Sequence, residues 1–150
     1  MQQSGRSPTY LLVLVLLLHF VLCAAYSLVV PLAEAPDELS HFDFARFVAQ
    51  RRALPTWHDV GESIQPPLYY LLGAPLIAHL PADLSFAKSN PDFRLGDAQG
   101  PQNLFIHTAA EAPPFGGGPL AMHILRLLSA TLSTLAVWAV YQTLRLLFEG

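Results

Sequence analysis

The sequence predicts an all-α membrane protein in which two transmembrane helices flank a large extracytoplasmic loop, and three observations predict it. Hydrophobic residues make up 53% of the 150-residue chain and charged residues only 13%, far from the usage of a water-soluble domain. The apolar content is gathered into two blocks of spanning length, at residues 10–32 and 120–148. Between them, residues 33–119 carry ten acidic and five basic side chains, a formal charge of −5, and are divided by prolines and glycines.

The first block holds no formal charge from residue 10 to residue 30, which at 1.5 Å per residue covers about 31 Å. It reads as a transmembrane helix. A cleaved signal peptide is the competing reading, with Arg6 in the basic region, residues 11–18 as the apolar core and Cys23-Ala24-Ala25 at the cleavage point. The continuation through Leu28, Val29 and Val30 favours the span. His19 falls mid-span, where a polar side chain is expected to pack and hydrogen-bond against another helix.

The loop divides into three parts. Residues 37–54 lack Pro and Gly and lie between Pro36 and Pro55, which predicts a juxtamembrane helix. Its apolar residues, among them Phe42, Phe44, Phe47 and Val48, spread around the wheel, so it is expected to be covered on several sides. Residues 64–80 are apolar, too short to span and interrupted by Pro66, Pro67 and Pro75, which fits a re-entrant or interfacial helix. Residues 81–119 carry turn signals and are expected to be mostly irregular, with a short helix near residues 106–112 and a flexible entry to the second span at Gly116-Gly117-Gly118.

The second block offers Ser129, Ala130, Ser133 and Ala136 for close helix packing, and Arg126 and Arg145 can extend toward headgroups. A loop this long weakens the positive-inside rule, so orientation rests on Arg6, the amino terminus and Arg145. They predict a multi-pass plasma-membrane protein with both termini cytoplasmic and residues 33–119 outside. Two helices bury little and give intramembrane polar groups few partners, so residues 1–150 are expected to be the N-terminal part of a larger multi-span protein, completed by further transmembrane helices.

Several function classes are excluded. Eight Lys+Arg against eleven Asp+Glu is not the basic footprint of a nucleic-acid binder. The lone Cys23 supports neither a disulfide framework nor a paired-cysteine zinc site, and no phosphate-binding glycine loop or nucleophile elbow is present.

The chemistry gathers at the exit of the first span, in Glu34-Ala35-Pro36-Asp37-Glu38-Leu39-Ser40-His41-Phe42-Asp43. On a helix starting after Pro36, Asp37 and His41 share a face and Glu38 sits about 100° away. A carboxylate there is a candidate general base, and with His41 it is a candidate ligand for a divalent cation, the one cofactor these side chains suggest. The same residues suit a helix start, with Asp37 as N-cap and Glu38 at the positive end of the dipole.

Four pieces occur in order: Pro36-Asp37-Glu38, a helix through Ala45 and Arg46, Gln65-Pro66-Pro67-Leu68-Tyr69-Tyr70, and Arg126-Leu127-Leu128-Ser129-Ala130 at the second span. Together they resemble the C-type glycosyltransferase superfamily, within it most nearly the protein O-mannosyltransferase and aminoarabinose transferase branch. The resemblance implies sugar transfer from a polyprenyl-phosphate-linked donor to an acceptor hydroxyl at the outer membrane face. It implies Asp37 as catalytic or acceptor-orienting carboxylate and Glu38 as its motif partner. His41, Gln65, Tyr69 and Arg126 become candidate substrate-binding residues, and the apolar residues 68–80 a flank for the lipid. The partners implied are the lipid-linked donor and membrane lipids. The chain departs from the branch at Ile64-Gln65, where relatives carry an acidic residue and lysine, in the long stretch 82–118, and in His41, which fits instead a Pro-Asp-Glu-x-x-His signature elsewhere in the superfamily. The alternative reading is a non-catalytic two-span protein whose acidic loop binds a partner or a cation.

Overall fold

A computed structural model describes residues 7–148; Arg6, on which the orientation argument leans, and Glu149-Gly150 lie outside the described residues. The chain is mostly helical and forms two units, one made of the residues up to Val29 with those from Arg126 onward, the other of Val30–Leu125.

The first unit holds α1 (Ser7–Val29) and the greater part of the last helix (Gly117–Phe148), both long and apolar enough to cross a membrane. Nearly every large apolar side chain of α1 is exposed, including Leu14, Leu17, Leu18 and Val21, a surface that water would penalise and lipid would not. Three threonines of the last helix are satisfied locally. The hydroxyls of Thr131, Thr134 and Thr143 donate to the carbonyls four residues earlier, at 2.9, 2.8 and 2.9 Å. His19 meets the second helix as expected, with its Nε2 2.9 Å from Ser133 Oγ and 3.6 Å from Cys23 Sγ. Arg126 Nη1 donates to the Ser27 carbonyl at 2.8 Å, in the last turn of α1, where carbonyls lack helical partners.

In the second unit, α2 (Glu38–Arg51) and α3 (Leu68–Ile77) pack against each other. The absence of Pro and Gly makes α2 a helix, but it ends three residues short of the expected Leu54. Arg52 turns left-handed at φ 53° and its N–H closes on Val48 O at 2.9 Å, freeing Ala53 and Leu54 ahead of Pro55. Pro66 and Pro67 start α3 instead of breaking it, because Pro67 already has helical dihedrals and a helix start needs no N–H there. Pro75 sits inside α3, two residues before its end.

Residues 81–119 are largely irregular, with two additions to an all-helical plan. A two-stranded antiparallel ladder joins β1 (Lys88–Ser89) to β2 (Phe105–Ile106), in the register Lys88 to Ile106 and Ser89 to Phe105. A single 3₁₀ turn, Ala109–Glu111, occupies the place of the expected short helix. The last helix, named α4, starts at Gly117, and its first turns belong to this unit's core, with Gly118, Ala121, Met122 and Leu125 buried. The expected span from residue 120 therefore divides. Its first six residues are folded into the loop unit, and residues 126–148 remain, about 34 Å of helix.

The core explains why the apolar residues of α2 lack a single stripe. Phe44, Ala45 and Val48 are buried in the α2–α3 unit, where the Phe44 ring stacks on Tyr70 at 3.7 Å and 10°. Phe42 meets Phe86 edge-on at 6.3 Å. Within the glycine triplet, where a flexible entry is expected, Gly117 and Gly118 begin α4 and Gly118 is closely packed. Gly117 has φ +52°, and a Cβ on Gly118 would lie 2.2 Å from the Asp83 carbonyl oxygen and 2.7 Å from the Phe86 ring.

Candidate functional site

The turn between α1 and α2 crosses the left-handed region twice without glycine, at Ala33 (φ 66°) and Asp37 (φ 59°). Each such residue costs on the order of 1–3 kcal/mol and persists only where surrounding contacts fix it. Two acidic side chains supply those contacts. Glu34 Oε2 accepts the Leu104 N–H at 3.0 Å, and its Oε1 accepts the Phe105 N–H at 2.9 Å and lies 2.8 Å from His107 Nε2. Glu38 Oε2 reaches back to accept the buried Ala33 N–H at 2.9 Å.

Asp37 differs from both. It occupies the N-cap position of α2, but its side chain makes no capping bond, and among the described residues its exposed carboxylate has no hydrogen-bond partner. Its carbonyl accepts the His41 N–H at 2.9 Å, so the two residues stand one helical turn apart as the spacing predicts. The expected capping role is thus not used, and Asp37 is the acidic residue of the turn left for chemistry.

His41 is positioned by α3. Its Nδ1 lies 2.7 Å from the Tyr70 hydroxyl, and the two rings lie 6.0 Å apart at 21°. Burial pushes the Tyr70 phenol above its ordinary value, with the charge of Glu62 and then Tyr69 adding to it. The phenol therefore stays protonated, and it pairs with Nδ1 as donor or as acceptor according to the His41 tautomer. Tyr70→Phe is expected to leave Nδ1 without its hydrogen-bond partner and lower stability by about 1 kcal/mol, read from chemical unfolding in detergent. An unchanged midpoint would count against the assigned hydrogen bond.

The other expected residues have partners of their own. Tyr69 packs edge-on to Tyr70 at 5.4 Å and donates its hydroxyl to the Leu125 carbonyl at 3.1 Å, so it ties α3 to the start of α4. Gln65 is exposed and donates to Glu62 Oε2 at 3.0 Å. Arg126 belongs to the first unit, on the Ser27 carbonyl. Glu38 is committed to Ala33 and His41 to Tyr70, and among the described residues no group of three or more His, Cys, Asp or Glu side chains is arranged to hold a metal ion. The divalent-cation expectation therefore finds no ligand set in this turn.

A cluster that sequence reasoning missed completes the frame. His107 lies between two carboxylates, Glu34 at 2.8 Å and Glu111 at 2.9 Å, with all three side chains largely buried. Donating from both ring nitrogens requires the imidazolium. Burial lowers the His107 pKa, but the hydrogen bonds and charges of Glu111 and Glu34 outweigh it and hold the value above 6.5. Burial likewise raises Glu34, and the Phe105 and Leu104 amides with His107 outweigh it, holding the carboxyl below 4.5. The stabilisation from Glu34 is present above its ordinary value and lost as pH falls through the lowered one. That from His107 is present below 6.5 and lost as pH rises through the raised value. The cluster is therefore strongest between about pH 4.5 and 6.5. Hydrogen exchange at the Leu104 and Phe105 amides, corrected for intrinsic rates, is expected to be slowest in that window, with up to about 2 kcal/mol of protection lost outside it. Protection independent of pH would contradict this. The only local signal was the four-residue spacing of His107 and Glu111; Glu34 lies 73 residues from His107.

No family model, curated protein or solved structure matches the chain.

Proposed function

We propose that this chain is the N-terminal part of a membrane glycosyltransferase that moves a sugar from a polyprenyl-phosphate-linked donor to an acceptor hydroxyl at the external face of the plasma membrane. The observation that carries the reading is the division of labour among the acids at the exit of α1. Glu34 and Glu38 are consumed in holding the turn, whereas Asp37 is held in a strained left-handed conformation with its carboxylate exposed and unpartnered among the described residues. The ordered resemblance in Pro36-Asp37-Glu38, Gln65 to Tyr70 and Arg126 to Ala130 supplies the reaction class.

In this reading α1 and residues 126–148 cross the membrane, with residues 33–119 outside and both termini cytoplasmic. Asp37 takes the acceptor proton as the acceptor oxygen bonds the anomeric carbon. The bond from that carbon to the phosphate oxygen breaks, and the polyprenyl phosphate leaves with the electron pair. Glu38 acts as a positioning residue through Ala33, and Tyr70 fixes the ring of His41 one turn from Asp37.

The non-catalytic reading is less well supported. The loop's acids are mostly spent on their own turns: Asp43 on Arg46, Asp59 on Thr56, Asp83 on Ser85 and Asp97 on Gly100. That leaves little convergent charge for a cation or basic partner. The test is Asp37→Asn, which should remove transfer at unchanged abundance under this reading and leave a scaffold indifferent.

A further inference from the structure

We propose that the groove between the end of α2 and α3 is a docking site for an anionic phospholipid of the surrounding bilayer, with an acyl chain along Leu71, Ala74 and Pro75 and the phosphate on Arg52. The groove holds about 410 Å³ and is walled on the α2 side by Val48, Ala49 and Leu54. Its volume falls in the range of small-ligand clefts, about 300–1,000 Å³.

The first reason is that α3 is apolar on all sides. Tyr70, Gly73, Ala74 and Ile77 are buried on one face, while Leu68 (68% exposed), Leu71, Leu72 and Leu76 form a ridge on the other. A helix that is apolar all round needs an apolar medium on the face its own fold leaves open.

The second reason identifies that medium. The unit holding α3 continues directly from α1 at Val30 and runs directly into residues 126–148 at Leu125, so each end of its chain is joined to a helix of membrane-spanning length. The ridge is made of leucines alone, whereas a protein-binding hot spot draws on Trp, Tyr and Arg.

The third reason is charge. Residues 33–119 carry −5 overall and would be repelled by an anionic membrane surface, yet Arg51 and Arg52 stand together at the end of α2, and Arg52 lines the groove. The left-handed turn at Arg52 closes the helix on Val48 O at this rim. An apolar bed with a guanidinium at its edge matches an acyl chain ending in a phosphate.

The inference rests on the reading of α1 and residues 126–148 as membrane spans, and the test separates the two. The full chain, with Cys23→Ser, takes one spin label at a time through Leu71→Cys in the groove, or Leu68→Cys or Leu76→Cys on the ridge. It is then placed in phosphatidylcholine nanodiscs containing phosphatidylglycerol. Labels at all three positions are expected to collide freely with oxygen and to be shielded from a water-soluble nickel chelate, as a label at Leu17→Cys in α1 should be and one at Asn90→Cys should not. Nickel access equal to that at position 90 would overturn the proposal, as would exclusion of both reagents, which marks a protein cover. A label at position 17 open to nickel would overturn the span reading and this inference together. Arg52→Glu is expected to reduce co-purifying phosphatidylglycerol several-fold relative to phosphatidylcholine; unchanged recovery would overturn the assignment of the phosphate to Arg52.

Discussion

Under the proposed transferase reading, replacing Asp37 with glycine is expected to abolish sugar transfer while leaving the protein slightly more stable. The two effects have separate causes. At φ 59° and ψ 1° Asp37 occupies the left-handed region, which glycine enters without the clash of a Cβ, so the turn should relax by about 1 kcal/mol. The carboxylate makes no capping bond, so no hydrogen bond is lost to offset that gain. Removing a general base lowers rate by about 10²–10⁴-fold. A residue that costs stability where it stands and is needed only for turnover is the pattern expected of a functional position. Thermal unfolding in detergent, set beside transfer activity, reads both effects. A less stable Asp37→Gly protein would show that the carboxylate has a structural task, and would remove the observation on which the assignment rests.

The largest expected loss of stability is at Gly118. A methyl group there would sit 2.2 Å from the Asp83 carbonyl oxygen and 2.7 and 2.8 Å from two atoms of the Phe86 ring. Backbone cannot swing aside as a side-chain tip can, and the Phe86 ring is itself buried against Phe42. Gly118→Ala is therefore expected to cost about 3 kcal/mol, at the upper end of overpacking effects. Gly116→Ala is the internal control, since nothing lies within 4 Å of its Cβ position; its effect should stay below about 0.5 kcal/mol. Equal sensitivity of the two variants to denaturant would mean that the triplet is a flexible linker after all.

What was legible in the sequence follows from what is local. Both long helices were recognisable because length and apolar composition are properties of a continuous stretch, and the contact between His19 and a second helix followed from the cost of a bare imidazole among leucines. The true start of the apolar surface on α4 was not recognisable, since Leu120 to Leu125 are equally at home in lipid and in a protein core. Only the packing of Ala121, Met122 and Leu125 in the loop unit distinguishes them. The end of α2 was missed because no residue type announces that Arg52 will turn left-handed.

At the candidate site the spacing of Asp37 and His41 was readable, but the fates of the neighbouring acids were not. Glu34 is claimed by Leu104, Phe105 and His107, some seventy residues away, and no periodicity carries such a pairing. Glu38 is claimed by Ala33, whose left-handed φ is itself unannounced by an alanine. Among the described residues no three such side chains gather to hold the cation that the spacing of Asp37 and His41 suggests. Only the folded structure sorts three neighbouring carboxylates into two that brace and one that is unpartnered among the described residues.

The most direct test of the central claim is transfer of a labelled sugar from a polyprenyl-phosphate donor in membranes carrying the native protein, wild type against Asp37→Asn at matched abundance. Donor-dependent transfer by the wild type and a loss of about 10²–10⁴-fold in the variant are the expected result. Transfer by Asp37→Asn at the wild-type rate, or no donor-dependent transfer by the wild type, would contradict it.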